Sequence, residues 1–147
     1  MFKTLRALPV ILSTAGLLGL GGCATQPANT QVKAAYHVNG SLDTAAAALR
    51  NIRNHLGADP NAKIAVVTHG PGIDFLLEGA KDKNGNVFAS MVDDLALRGV
   101  EFKVCNNTLE SRKIDKSKVI SAAVVVPSGV SEIARLQAAD GYVYVKP

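Results

Sequence analysis

Ile64-Ala65-Val66-Val67-Thr68, followed at once by His69-Gly70-Pro71-Gly72, decides the fold class of this chain. The first five residues are apolar or β-branched with no polar alternate, which suits a strand covered on both faces in a parallel sheet. The next four form a tight turn. Upstream, Val32-Lys33-Ala34-Ala35-Tyr36-His37-Val38 reads as a short first strand that stops at Asn39-Gly40. Ser41 then caps a helix in which Leu42, Ala45, Leu49, Ile52 and Leu56 recur at helical spacing until Gly57 and Pro60 end it. Downstream of the turn, Ile73, Leu76, Leu77 and Ala80 fit a short helix, and residues 81–86 are a polar break. Phe88, Met91, Val92 and Leu95 then make an amphipathic helix closed by Gly99 in the left-handed C′ position.

The alternation continues. Residues 100–104 form a third strand that delivers Cys105 to its end, and a polar helix follows over residues 108–113. Residues 115–118 are a charged loop, and a fourth strand centres on Ala122-Ala123-Val124-Val125-Val126 before Pro127. Ser128 caps a helix with Val130, Ile133, Ala134 and Leu136 turned inward, Gly141 ends it, and Tyr142-Val143-Tyr144-Val145 is a fifth strand. Strands alternating with helices in this way predict the α/β class: a three-layer α/β/α sandwich with a five-stranded parallel sheet, in one domain over residues 32–147.

The N-terminus has a different character. Lys3 and Arg6 precede an apolar run over residues 8–20, and small residues follow, which is the layout of a secretory leader and too short to span a bilayer with ease. Leu20-Gly21-Gly22-Cys23 resembles the lipobox of bacterial lipoproteins. The expectation is a signal peptide over residues 1–22, lipidation of Cys23, and a Pro-containing tether over residues 23–31. Ala24 in place of Asp favours the outer membrane, so the expected location is the bacterial cell envelope, anchored by lipid and facing the periplasm. The 16 Lys and Arg against 12 Asp and Glu include Lys3 and Arg6, so loss of the leader lowers the formal charge from +4 to +2. No basic run or aromatic-interleaved patch remains, and Trp is absent, so nucleic acid is not an expected partner. Lipidation of Cys23 also leaves Cys105 without a disulfide partner in its own chain.

In an open parallel sheet, ligands bind beyond the carboxyl ends of the strands. That edge collects His37, His69, Cys105 and Pro127-Ser128. A thiol is reactive as its thiolate, favoured by a helix N-terminus or a nearby imidazolium, and Asn106-Asn107-Thr108 supplies helix-capping residue types right after Cys105. The same Cys also fits the role of a small buried hydrophobe. His69 suits thiolate stabilisation or proton transfer, and equally a hydrogen bond within its turn. His55, among Arg50, Arg53 and Asn54, reads as part of a solvated helix face. Neither GxGxxG nor GxxxxGK[ST] occurs, and the carboxylates form no acid and base pair.

Four stretches carry a family resemblance: T-H-G-P-G-I-D-F-L-L (68–77), G-V-E-F-K-V-C-N-N-T-L (99–109), V-P-S-G-V-S-E-I-A-R-L-Q (126–137) and G-Y-V-Y-V-K-P (141–147). Together they resemble the DsrE/DsrF-like family. The resemblance implies sulfur relay, a three-layer α/β/α fold and assembly as a homotrimer or hexamer. It implies a persulfide held on Cys105 and exchanged with a thiol-bearing donor or acceptor protein, with no cofactor. His69, Asn106 and Asn107 would support that sulfur by position. An exported, lipid-anchored chain departs from the cytoplasmic setting of sulfur-relay members. Two other readings stand beside this one: a metal or small-anion binding module using His37, His69 and Cys105, and a non-catalytic oligomeric lipoprotein with an inert thiol.

Overall fold

The computed structural model describes residues 31–147. The expected leader, Cys23 and most of the tether lie outside the described residues. Lys63–Thr68 is the central strand β2, and the five residues after Lys63 are all buried. It lies parallel to β1 (Lys33–Val38) on one side and to β3 (Glu101–Cys105) on the other. Beyond β3 lies β4 (Ala123–Val126), and beyond β1 lies β5 (Val143–Val145), so the order is β4-β3-β2-β1-β5 and every pairing is parallel. The α/β class and the five-stranded parallel sheet are as the sequence implies.

The order of the strands distributes the helices. From β1 to β4 each connection steps one strand along the sheet in a single direction, and right-handed crossovers put their helices on one face. These are α1 (Leu42–Ala58), a 3-10 helix (Gly70–Leu76), α2 (Phe88–Leu97) and α3 (Asn106–Ser111). The last connection returns across the sheet to the free edge of β1, which places α4 (Gly129–Asp140) on the opposite face. The first face holds the larger core, with Leu49, Ile52, Phe75, Phe88 and Phe102 packed against Tyr36, Val66 and Val104. Phe75 meets Phe88 and Phe102 at ring-centroid distances of 5.7 and 6.5 Å, the tilted geometries aromatic pairs favour. The second face is thin: Ala35, Ala65 and Val67 lie beneath Ile133, Leu136 and Tyr142.

Several local expectations are corrected. The helix expected through Ala80 is a 3-10 turn that ends at Leu76, because Pro71 opens it and the chain returns to extended conformation at Leu77. Leu77 and Lys81 then make antiparallel bridges to Val119 and Val87. α3 begins at Asn106 rather than at residue 108, since Cys105 itself takes the capping position in extended conformation. In α4 only Gly129, Ile133 and Leu136 are buried, while Val130 and Ala134 face outward. A lone helix over a floor of alanine and valine needs only a narrow stripe. His55 is not simply solvated, because its Nδ1 lies 3.0 Å from the Tyr36 hydroxyl. The expected helix ends hold: Gly99 and Gly141 have φ of +88° and +72°, the left-handed region that L side chains rarely adopt.

A charge cluster binds α4 to the sheet. Lys103, on β3, reaches Glu132 at 3.1 Å and Glu101 at 3.2 Å. Arg135 holds the same Glu132 carboxylate by two N–H donors at 2.9 and 2.8 Å. Hydrogen bonds from Arg135, opposed by burial and joined by those from Lys103, bring Glu132 down to about 2.

Candidate functional site

The carboxyl end of β3 is where the sheet delivers Cys105, 5% exposed, between the starts of α3 and α4. The chain turns from strand to helix at this residue, so the first amides of α3 have no helical acceptor of their own. The amides of Asn107, Thr108 and Gly129, the last at the start of α4, lie near enough to the sulfur to lower its pKa, while that of Asn107 donates to the Pro127 carbonyl at 3.3 Å. Thr108 adds its hydroxyl. The Thr108 Oγ1 accepts the N–H of Gly70 at 3.0 Å, which leaves its own hydrogen free to point at the sulfur. Burial pushes the Cys105 thiol up, but hydrogen bonds from the Gly129 amide, the Thr108 hydroxyl and amide, and the Asn107 amide more than offset it. The thiol therefore sits below its ordinary value. Two helix starts and one oriented hydroxyl thus favour the thiolate at a site with little water.

Close packing demands glycine here. A Cβ on Gly129 would stand 2.9 Å from the Thr68 carbonyl oxygen and 3.3 Å from the Cβ atoms of both Cys105 and His69. Cys105 and His69 are therefore neighbours across a single glycine. The ends of β2 and β3, adjacent by register, bring them to one place.

His69 does not stand alone. Its Nε2 lies 2.7 Å from Nε2 of His37, and Nδ1 of His37 lies 2.7 Å from the Tyr144 hydroxyl. The two imidazoles are tilted by 34° with centroids 4.7 Å apart. Burial first, then the proximity of His69 and Lys146, lower the pKa of His37; burial and Lys146 lower that of His69. Both effects favour the neutral form of the rings. Among the described residues no three His, Cys, Asp or Glu side chains come together to hold a metal ion. In addition, the His37 and His69 Nε2 atoms share one hydrogen at 2.7 Å, which engages the lone pair of whichever accepts it.

The structure thus brings Cys105, His69 and His37 to one edge of the sheet, and it places the neighbouring asparagines differently from one another. The side-chain amide of Asn106 donates to Glu110 Oε1 at 2.7 Å, and its Oδ1 is buried without a partner. Asn107 is exposed, and its main-chain N–H donates to the Pro127 carbonyl at 3.3 Å. Thr108, Gly129 and Tyr144 were not legible as site residues. Thr108 reads as part of a capping cluster, Gly129 as a helix start, and Tyr144 as a strand residue 107 positions from its partner His37. A hollow of about 320 Å³ opens beside Thr108, lined by Gly70, Pro71, Asp74, Ser111 and Arg112. Its cation, Arg112, is already paired with Asp74.

A parallel-sheet sandwich with a lowered-pKa thiol at the end of its third strand, cradled by main-chain amides, defines a class of thiol-bearing α/β proteins. Within it the chain belongs to the DsrE/DsrF-like family, whose model matches residues 23–147. Among solved structures it is similar to a protein of unknown function, MTH1491 from Methanobacterium thermoautotrophicum. Identity is 25% and the TM-score 0.71, over 80% of this chain and 100% of that one. It is also similar in fold to the ychN protein from E. coli, at 18% identity and a TM-score of 0.65, over 80% of this chain and 99% of that one. Comparison with curated proteins returns no match.

Proposed function

We propose that the protein binds and relays sulfane sulfur as a persulfide on Cys105, in keeping with sulfur relay at the level of its family. The observation that carries this reading is the placement of Cys105, 5% exposed at the end of β3, between the starts of α3 and α4 and beside His69, where neighbouring amides and the Thr108 hydroxyl lower its pKa. A thiolate attacks the outer sulfur of a donor persulfide. The new bond joins Cys105 Sγ to that sulfur, the donor's S–S bond breaks, and its electron pair leaves on the donor thiolate.

The test is intact mass of the full chain after incubation with polysulfide. The expected result is a gain of one sulfur atom, reversed by a thiol reductant, mapped to the Cys105 peptide and absent from Cys105→Ser. No gain, or a gain that persists in Cys105→Ser, overturns the reading. The proposal places this chemistry in the cell envelope, on a homo-oligomer anchored through lipid on Cys23. Its donor and acceptor are thiol-bearing proteins or small persulfides on the periplasmic side. Incorporation of labelled fatty acid, lost in Cys23→Ser, is the expected sign of the anchor, and an unlabelled wild-type chain would remove it.

A further inference from the structure

Tyr144, His37 and His69 form a continuous hydrogen-bonded chain, with links of 2.7 and 2.7 Å, that runs from the surface to the residue beside Cys105. Tyr144, at 43% exposed, is its end in water. From these contacts we infer that the chain is a proton relay between solvent and the sulfur held on Cys105, with Tyr144 and His37 as positioning residues and His69 as its terminal group. This inference rests on the reading of Cys105 as a sulfur carrier.

Tautomer logic defines what such a chain can do. A neutral imidazole carries one N–H and one lone pair. If the Tyr144 hydroxyl donates to His37 Nδ1, then His37 Nε2 carries the hydrogen shared with His69 Nε2, and His69 must carry its own hydrogen on Nδ1. If instead His37 Nδ1 donates to Tyr144, every bond reverses and His69 Nδ1 is left with a lone pair. The neutral chain therefore has two states, which differ only in whether His69 Nδ1 is an acid or a base. Nδ1 is the ring nitrogen nearer the His69 Cβ, and that Cβ and the Cys105 Cβ each lie 3.3 Å from where a Cβ on Gly129 would stand. One proton entering at Tyr144 and one leaving at His69 Nδ1 convert the first state into the second. Two imidazolium rings at 2.7 Å are excluded by like charge and by opposed hydrogens, so the pair passes protons without storing two.

The groups that act on the pair are few. Lys146, whose Nζ donates to Asn39 Oδ1 at 2.8 Å, disfavours extra positive charge on both rings. Tyr144 comes from β5 and Cys105 from β3, while α4 contributes Gly129.

Sulfur uptake needs such a proton. A small persulfide donor is largely an anion at neutral pH, so thiolate attack would bring two negative sulfurs together. The balanced step takes the Cys105 thiolate, the anionic donor R–S–S⁻ and one proton to Cys105–S–SH and R–S⁻. The Sγ–S bond forms, the donor S–S bond breaks with its electron pair leaving on R–S⁻, and the proton ends on the transferred sulfur. His69 Nδ1–H supplies that proton, and Tyr144 recovers it from water. No oxidant or reductant is required.

The experiment measures two rates on Cys105 in the full chain, for wild type, Tyr144→Phe and His37→Gln. One is alkylation by iodoacetamide across pH, which consumes a thiolate and no proton. The other is sulfur uptake from glutathione persulfide. Both variants are expected to keep the wild-type alkylation profile and to lose uptake rate on the order of a hundredfold at neutral pH, in the range that general acid catalysis contributes. Added imidazole is expected to restore uptake by delivering the proton directly. Uptake unchanged in both variants overturns the relay while leaving Cys105 a carrier. Equal loss of uptake and alkylation, or no rescue by imidazole, also overturns it, because either marks a structural role. A wild-type chain that takes up no sulfur removes the carrier reading and the relay with it.

Discussion

The sulfur of Cys105 is held between opposed influences, burial favouring the thiol and directed amides the thiolate, and the amides prevail. Thr108 is the residue on which this balance is easiest to read, because its hydroxyl accepts the Gly70 amide and also helps to lower the thiol's pKa. Thr108→Val keeps the shape and removes the hydroxyl. The midpoint of Cys105 alkylation against pH is expected to rise, with a several-fold slower reaction at neutral pH; an unchanged midpoint would show that the amides alone hold the thiolate. At this scale the sequence was informative about identity and poor about contact. Cys105, His37 and His69 stand out because their residue types are chemically able and they fall at strand ends. The bond between the two histidines depends on side-chain direction across neighbouring strands, and Tyr144 comes from 107 residues away. No local pattern reports either.

Among the elements, the contact between α4 and the sheet carries most of the site's precision. Gly129 lets α4 approach until its first amide meets the sulfur. In Gly129→Ala the new methyl meets the Thr68 carbonyl, which cannot move aside, so the helix start must shift. The expected cost is ~1–3 kcal/mol in denaturant unfolding, with a higher Cys105 alkylation midpoint. Gly72→Ala is expected to cost more, since a Cβ there would stand 2.1 Å from the Val38 carbonyl oxygen, inside the larger core face. Glu132 links α4 to Lys103 on β3 and gives that contact a pH signature. Its folded pKa, about 2, lies below the ordinary 4.5, so the unfolded chain binds more protons in that interval. The stability it contributes is complete above 4.5 and is lost as pH falls through about 2. Urea midpoints measured across this window are expected to fall less steeply in Glu132→Gln than in wild type. Element order and type were legible because strand and helix periods alternate clearly along the chain. Boundaries at the 3-10 turn and at α3 were not, since each is set by one residue, Pro71 or Cys105, acting against its neighbours' propensities. The facing of α4 was misread because Val130 and Ala134 fit a helical stripe that the thin second face does not use.

For the whole molecule, the unequal layers leave apolar surface uncovered. α4 lies over the middle of the sheet, while Val124 on β4, 65% exposed, and Val130 stand outside it. Burial of such side chains between copies would stabilise each by about 1.5 kcal/mol or more. If the proposed homo-oligomer uses this face, Val124→Lys is expected to shift sedimentation of the chain in detergent toward the monomer while Cys105 keeps its alkylation midpoint. An unchanged assembly would place the interface elsewhere. The architecture itself was plain in the sequence because Ile64–Thr68 admits only a strand buried on both faces. Strand order was not, since the return from β4 to the edge of β1 is a choice the local pattern leaves open.

That return crossing also governs how the molecule comes into being. β5 pairs with β1 across nearly the whole domain, so the edge of β1 stays open until that strand arrives. The other three strand pairings join neighbours in sequence and need no such long closure. Closure of the sheet, and with it the placing of Tyr144 against His37, then waits on the pairing most distant in sequence. A chain cut short before residue 143 can still bear its cysteine and most of its core, yet it lacks the strand that finishes the sheet and the hydroxyl that leads from it to water.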